Sequence, residues 1–124
     1  MHRRRPNPAR PLHRPSVPAA PPPPGPPPAP PPAERVLPAV SALLAEGWKR
    51  QRAGDLAGAI ALGERALRID PRAPEVYLLL ATAHRAAGRE GQALELARRG
   101  LAWAPRGSRV RLRLEALRDE LTRP

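Results

Sequence analysis

The chain has 124 residues and a formal net charge of +11, from 22 Lys and Arg against 11 Asp and Glu. Without cysteine it has no disulfide, no thiolate nucleophile and no cysteine-based metal site. No apolar run approaches the ~20 residues of a membrane-spanning helix, and the length allows one small domain beside a tail.

Residues 1–38 hold 16 of the 20 prolines and no periodic apolar pattern. They read as a disordered basic, proline-rich extension, unable to bury enough surface to offset its ordering entropy. The arm from Met1 to about Pro15 carries five Arg and no acid. Its Arg3-Arg4-Arg5 run is a candidate for anionic lipid or nucleic acid, although a charge run is usually just solvated. Pro21 to Pro32 favours polyproline II and would span roughly 37 Å at about 3.1 Å per residue. It is read as a spacer rather than a ligand for an aromatic groove. Met-His-Arg-Arg-Arg is like the charged start of a signal peptide, but proline follows where an apolar segment belongs. As written the chain is expected in the cytoplasm; a start further upstream would place it in the periplasm or envelope. All but one of the 22 basic residues are Arg, and Ala, Arg, Pro and Gly make up 73 residues. The coding bias of a GC-rich bacterial genome accounts for much of that arginine.

Five helices are predicted over residues 39–124. The first runs from about Ala39 to Ala53, where Leu43, Leu44, Gly47 and Trp48 recur at helical spacing and Gly54 stops it. Asp55 can cap the second, about Leu56 to Ile69, by accepting an orphan N–H of its first turn. Asp70-Pro71 ends it, since proline disfavours helical geometry in the residue before it. Pro74 suits the first turn of the third, where a missing N–H costs nothing, and Gly88 closes that helix after Ala87. The fourth covers about Glu90 to Trp103 and stops before Pro105. Ser108 can cap the fifth, to about Leu121, whose Val110, Leu114, Leu117 and Leu121 form one apolar stripe.

Residues 40–73 and 74–107 align without a gap. They share Leu44/Leu78, Ala53/Ala87, Gly54/Gly88, Ala59/Ala93, Leu62/Leu96, Arg65/Arg99, Leu67/Leu101, Pro71/Pro105 and Arg72/Arg106. A fixed period of this length marks stacked supersecondary units. The second unit carries Tyr77, Leu80, Ala81, His84, Ala93, Ala97, Gly100 and Pro105, and the first carries Leu43, Glu46, Gly47, Arg50, Ala59, Gly63, Ala66 and Pro71. In these places the chain resembles the tetratricopeptide repeat. The resemblance implies an all-α fold of tetratricopeptide-like α-hairpin repeats, an α-solenoid fragment of five helices with residues 108–122 as capping helix. Gly47, Ala59, Ala66, Ala81, Ala93 and Gly100 would let helices approach closely, and Gly54-Asp55 fits the turn within a hairpin. Gly63 and Ala97 stand where the family has a large aromatic, and Gly58 and Gly63 inside a helix each cost about 1 kcal/mol relative to Ala. Two repeats are fewer than the three or so that bury a continuous core. The stripe of the last helix, with Leu101 and Trp103 facing it, is expected to close the core. Marginal stability, self-association or help from a partner is expected.

The resemblance also implies a non-catalytic interaction or assembly adaptor that holds a partner peptide or helix in a concave groove. Carried over residue by residue, that groove is lined by Ser41, Leu44, Trp48, Gln51 and Arg52 in the first unit. In the second it is lined by Glu75, Leu78, Thr82 and Arg85. Leu44, Trp48, Gln51 and Arg52 share one helical stripe. Trp48, Leu44 and Leu78 would form an apolar floor with Arg52 and Arg85 as cationic edges, a composition typical of interaction hot spots. The other reading of Trp48 is packing under the proline arm or against the next hairpin. The Lys and Asn that clamp acidic chaperone tails in some family members are absent, with Leu44 and Trp48 in their places. Trp103 aligns with Ile69 and is expected to pack in the core or cap; Tyr77 is expected to be structural. A nucleic acid is the alternative partner, through the arm and Arg106, Arg109, Arg111, Arg113 and Arg118. Three aromatics are few for base stacking. No phosphate loop, HExxH or GxSxG is present, and His84 has no neighbouring His in sequence. No catalytic residue, metal or cofactor is expected.

Overall fold

The computed structural model describes residues 21–26 and 36–124. Residues 21–26 are exposed and lack regular secondary structure; at the other end of the expected extension Val36 packs on the core and Pro38 opens the first helix, and the remainder lies outside the described residues. Five helices follow: α1 (Pro38–Arg52), α2 (Leu56–Ile69), α3 (Pro74–Ala86), α4 (Glu90–Trp103) and α5 (Arg109–Thr122). No strand occurs among the described residues.

The boundaries follow local chemistry. Pro38 and Pro74 open α1 and α3. Asp55 Oδ1 accepts the Gly58 backbone N–H at 2.9 Å, and Ser108 Oγ accepts that of Arg111 at 3.2 Å, so α2 and α5 are side-chain capped. Gly54 and Gly88 turn the chain within each hairpin at φ 83° and 81°, where a side chain would be strained.

α1 with α2 and α3 with α4 form two hairpins, and α3 touches all four other helices. Two clusters make the core. One gathers Val40, Leu44, Ile60, Val76, Leu79 and Leu80; the other gathers Leu78, Ala97, Val110, Leu114 and Leu117. Trp48 and Leu96 pack against both. A Cβ on Gly63 would lie 2.6 Å from Leu80 Cδ2. The missing aromatic at that position is therefore replaced from the other side, by Leu80 filling its space.

The corners between units are tied in the same place by different groups. Tyr77 donates its O–H to the Pro71 carbonyl at 2.7 Å. Arg111, 34 residues on, donates from Nη1 to the Ala104 carbonyl at 2.8 Å while its Nε lies 2.9 Å from Glu115. Thus α5 behaves as the first helix of a third unit. Its Val110, Leu114 and Leu117 are buried, with Leu101 and Leu121 packed against them, and this closes the core. Trp103 does not join that closure. It is 45% exposed, outside both clusters, with the Arg72 guanidinium 4.9 Å from its ring centroid. The fully buried Leu114 fills the space beside Gly100.

Candidate functional site

α1, α3 and α5 line a shallow trough on one side of the stack. At its centre stand Trp48 from α1, Leu78 from α3 and Arg113 from α5. Toward the helix N-termini of α3 and α5 it continues past Glu75, Arg109 and Val110. The other way it passes Gln51, Thr82, Ala116, Leu117 and Glu120. The two depressions that meet at Trp48 are about 220 and 260 Å³. The third, at Glu75, Gly107 and Arg109, is about 360 Å³, and all three lie open to solvent along one face.

Helix geometry places these groups. Val40, Leu44 and Gly47 form the buried stripe of α1, and Trp48 stands on its shoulder. The indole packs one side on the core and turns the other to the trough, half-buried. Arg113 lies over it, 6.0 Å from guanidinium carbon to ring centroid. Thr82 Oγ donates to Gln51 Oε1 at 3.2 Å, linking α1 and α3 across the floor, and also lies 2.9 Å from its own helix's Leu78 carbonyl. Arg85 is held by Glu120 in an ion pair between α3 and α5.

Of the nine residues singled out from the sequence, Trp48, Gln51, Glu75, Leu78 and Thr82 line the trough. Arg85 is a rim residue spent on Glu120 rather than an open cationic edge. Leu44 is core, 7% exposed within the cluster of Val40 and Leu79, because α1 turns that side of its stripe to α2 and α3. Ser41 and Arg52 are exposed and do not line these depressions. The α5 wall was not read as part of the groove: Arg109 and Arg113 were named only for a nucleic acid, Val110 and Leu117 only for the core, and Ala116 and Glu120 not at all. The 34-residue register carried one unit further was the available signal, since it sets Arg109 at the place of Glu75 and Ala116 at that of Thr82.

Trp48 therefore packs on the next hairpin, as one reading expected, and also presents a face to the trough. The arginines near and within α5 do not form one cationic stripe. Arg111 ties the α4 carbonyls and Glu115, and Arg118 lies beside Asp119 at 3.2 Å. His84 is 5% exposed and lies outside the trough; its Nδ1 accepts the Arg89 Nε–H at 2.9 Å, which leaves the proton on Nε2. Burial, and secondarily the charge of Arg89, hold its pKa below the ordinary value. Among the described residues no group of three His, Cys, Asp or Glu is placed to hold a metal ion. No described helix is long and apolar enough to cross a membrane.

A family model described as tetratricopeptide repeat matches residues 51–117, from the end of α1 into α5. Among solved structures, the globular C-terminal domain of P. aeruginosa LpoP is similar at 37% sequence identity and a TM-score of 0.65. The match covers 70% of this chain and 82% of that one. No curated protein matches the sequence.

Proposed function

The chain belongs to the tetratricopeptide-repeat family, and from that premise we propose that it is a non-catalytic adaptor holding a protein partner in the trough between α1, α3 and α5. The observation that carries this reading is the trough's centre. Trp48 and Leu78 give an apolar floor, and Arg113 gives a cation above it. An anchored tryptophan beside arginine is the composition of an interaction hot spot. Gln51–Thr82 across the floor and Arg85–Glu120 at the rim link the helices that frame the trough. In this reading the proline tract from Pro21 to Pro32 is a spacer between the basic arm and the repeats.

Quantitative affinity capture with the full chain tests it, comparing wild type with Trp48→Leu and with Leu112→Ala. Leu112 is exposed and lies away from the trough. A partner recovered by wild type and Leu112→Ala but depleted at least tenfold by Trp48→Leu is expected. Equal recovery from all three would remove the trough from the function.

A further inference from the structure

We infer that the end of the stack where α1, α3 and α5 begin docks on an anionic membrane surface. Leu37, Ile69 and Trp103 enter the headgroup region, and Arg68, Arg72 and Arg106 meet its phosphates. This does not rest on the trough being a docking face.

Helix direction alternates along the stack, so the starts of α1, α3 and α5 gather with the ends of α2 and α4. Four large apolar side chains are left exposed among the described residues, and three of them stand at that end. Leu37 immediately precedes α1, and Ile69 and Trp103 are the last residues of α2 and α4, each about half exposed. One exposed apolar residue is ordinary, whereas three gathered at one end form a patch. Ile69 and Trp103 hold the same place in consecutive units, and Arg72 bridges them. Its backbone belongs to the Ile69 corner, and its guanidinium lies 4.9 Å from the Trp103 ring centroid. Arg106 repeats Arg72 one unit on, Arg68 precedes Ile69, and all three arginines are exposed. The opposite end differs. Among the described residues no large apolar side chain is exposed there, and Arg50–Asp55, Arg85–Glu120 and Arg118–Asp119 are ion-paired.

This combination suits a bilayer interface. Tryptophan seats its amphipathic ring at headgroup level, and leucine and isoleucine reach the acyl boundary. Arginine lays its stem along apolar surface while its planar fork binds phosphate at two points. Leu37, Ile69 and Trp103 line none of the three depressions. A protein partner would need a matching hollow, whereas a bilayer yields to side chains that project. Asp70 stands in the same corner, its Oδ1 accepting the Arg72 backbone N–H at 3.1 Å, and weakens the attraction to an anionic surface. The chain also enters the domain at this end, Val36 packing on the first cluster before Pro38 opens α1. The proline-rich tail and its Arg3-Arg4-Arg5 run are therefore joined to the docking side. Held end-on, the domain keeps the trough along α1, α3 and α5 open to one side.

Flotation of the full chain with phosphatidylcholine vesicles, with or without an equal part of phosphatidylglycerol, tests this. Wild type should float with the anionic vesicles alone, and less as salt rises. Ile69→Ser/Trp103→Ser and Arg72→Glu/Arg106→Glu should each lower binding about tenfold or more. Arg52→Glu/Arg123→Glu makes the same change of charge at the opposite end and should lower it no more than about twofold. These positions are all exposed, so far-UV circular dichroism of each variant should match wild type. Trp48→Leu should float like wild type; a loss there would move the binding to the trough and overturn the inference. Equal losses from the two charge reversals would mean attraction to net charge without a docking end, which also overturns it. So would an absence of binding to anionic vesicles, or binding lost in Arg3→Gln/Arg4→Gln/Arg5→Gln but kept in Ile69→Ser/Trp103→Ser. A protein captured through Ile69 and Trp103 by a chain that ignores vesicles would make this end a protein interface and overturn its lipid occupant.

Discussion

The two hairpins fasten their turns at the same positions with opposite chemistry. In the first, Arg50 donates to Asp55 at 3.1 Å; 34 residues on, Arg89 donates to His84 at 2.9 Å. Donor and acceptor have exchanged ends while the span of five residues is kept. The difference follows from position in the stack. α1 is terminal and buries three of its 15 residues, so an ion pair at its end remains hydrated. α3 is central and buries nine of 13, so its residue at that place is a buried, neutral histidine. An ion pair costs little where water still reaches it, whereas a buried charge needs full compensation. The repeat thus fixes geometry, and burial selects the chemistry that fills it.

The largest effect expected from this contrast is on packing. Leu80 of α3 is 2% exposed and fills the space beside Gly63. Leu80→Ala should lower stability by about 2–5 kcal/mol, the range for a buried leucine whose site cannot collapse. Leu43 of α1 is only partly buried, and Leu43→Ala should cost about 1 kcal/mol. Urea midpoints at constant slope measure both. Equal losses would break the distinction between a central and a terminal hairpin.

A smaller effect sharpens it at one position. Ala66 in α2 and Gly100 in α4 are equivalent, and both are buried. A Cβ on Gly100 would stand 2.7 Å from Tyr77 Cβ and 3.0 Å from Leu114 Cδ1, since α3 and α5 both press on it. Gly100→Ala should therefore destabilise by about 1–2 kcal/mol, overpacking outweighing the ~1 kcal/mol of helix propensity gained. Gly91, in the same helix, has nothing within 4 Å of such a Cβ. Gly91→Ala should stabilise by up to about 1 kcal/mol. Thermal melts of the two variants should move in opposite directions.

These positions also show what could be read from sequence. The helix ends were legible because Pro38, Gly54, Asp55, Pro74, Gly88 and Ser108 act locally; only contacts within a turn decide them. Tyr77 and the small residues were legible through the period. Trp103 was misread because its equivalent, Ile69, is itself 45% exposed. Size suggested burial, but that corner lies at the surface, where the Trp103 ring meets the Arg72 guanidinium. Leu44 was misread because the rotation of α1 about its axis is set by α2 and α3, which no local pattern reports. The α5 wall was overlooked because a capping helix was treated as an end rather than as the next repeat.

The smallest expected effect concerns the two clasps themselves, and pH separates them. Burial, then the charge of Arg89, holds the His84 imidazole below its ordinary 6.5, with Glu64 opposing. The unfolded chain then binds that proton more readily than the folded one. Stability from this group is complete above about 6.5 and is lost as pH falls toward the lower folded value. In the first hairpin the Gly58 backbone N–H, and then Arg50, hold the Asp55 carboxyl below its ordinary 3.8. Its contribution persists until pH falls below that value. Between pH 7 and 5 the urea midpoint should therefore decline through His84 while Asp55 stays ionised. His84→Gln should lower the midpoint at pH 7 and flatten the decline; Asp55→Asn should leave the slope in this window unchanged. A decline that survives His84→Gln would mean that the central clasp is no more sensitive to protons than the terminal one.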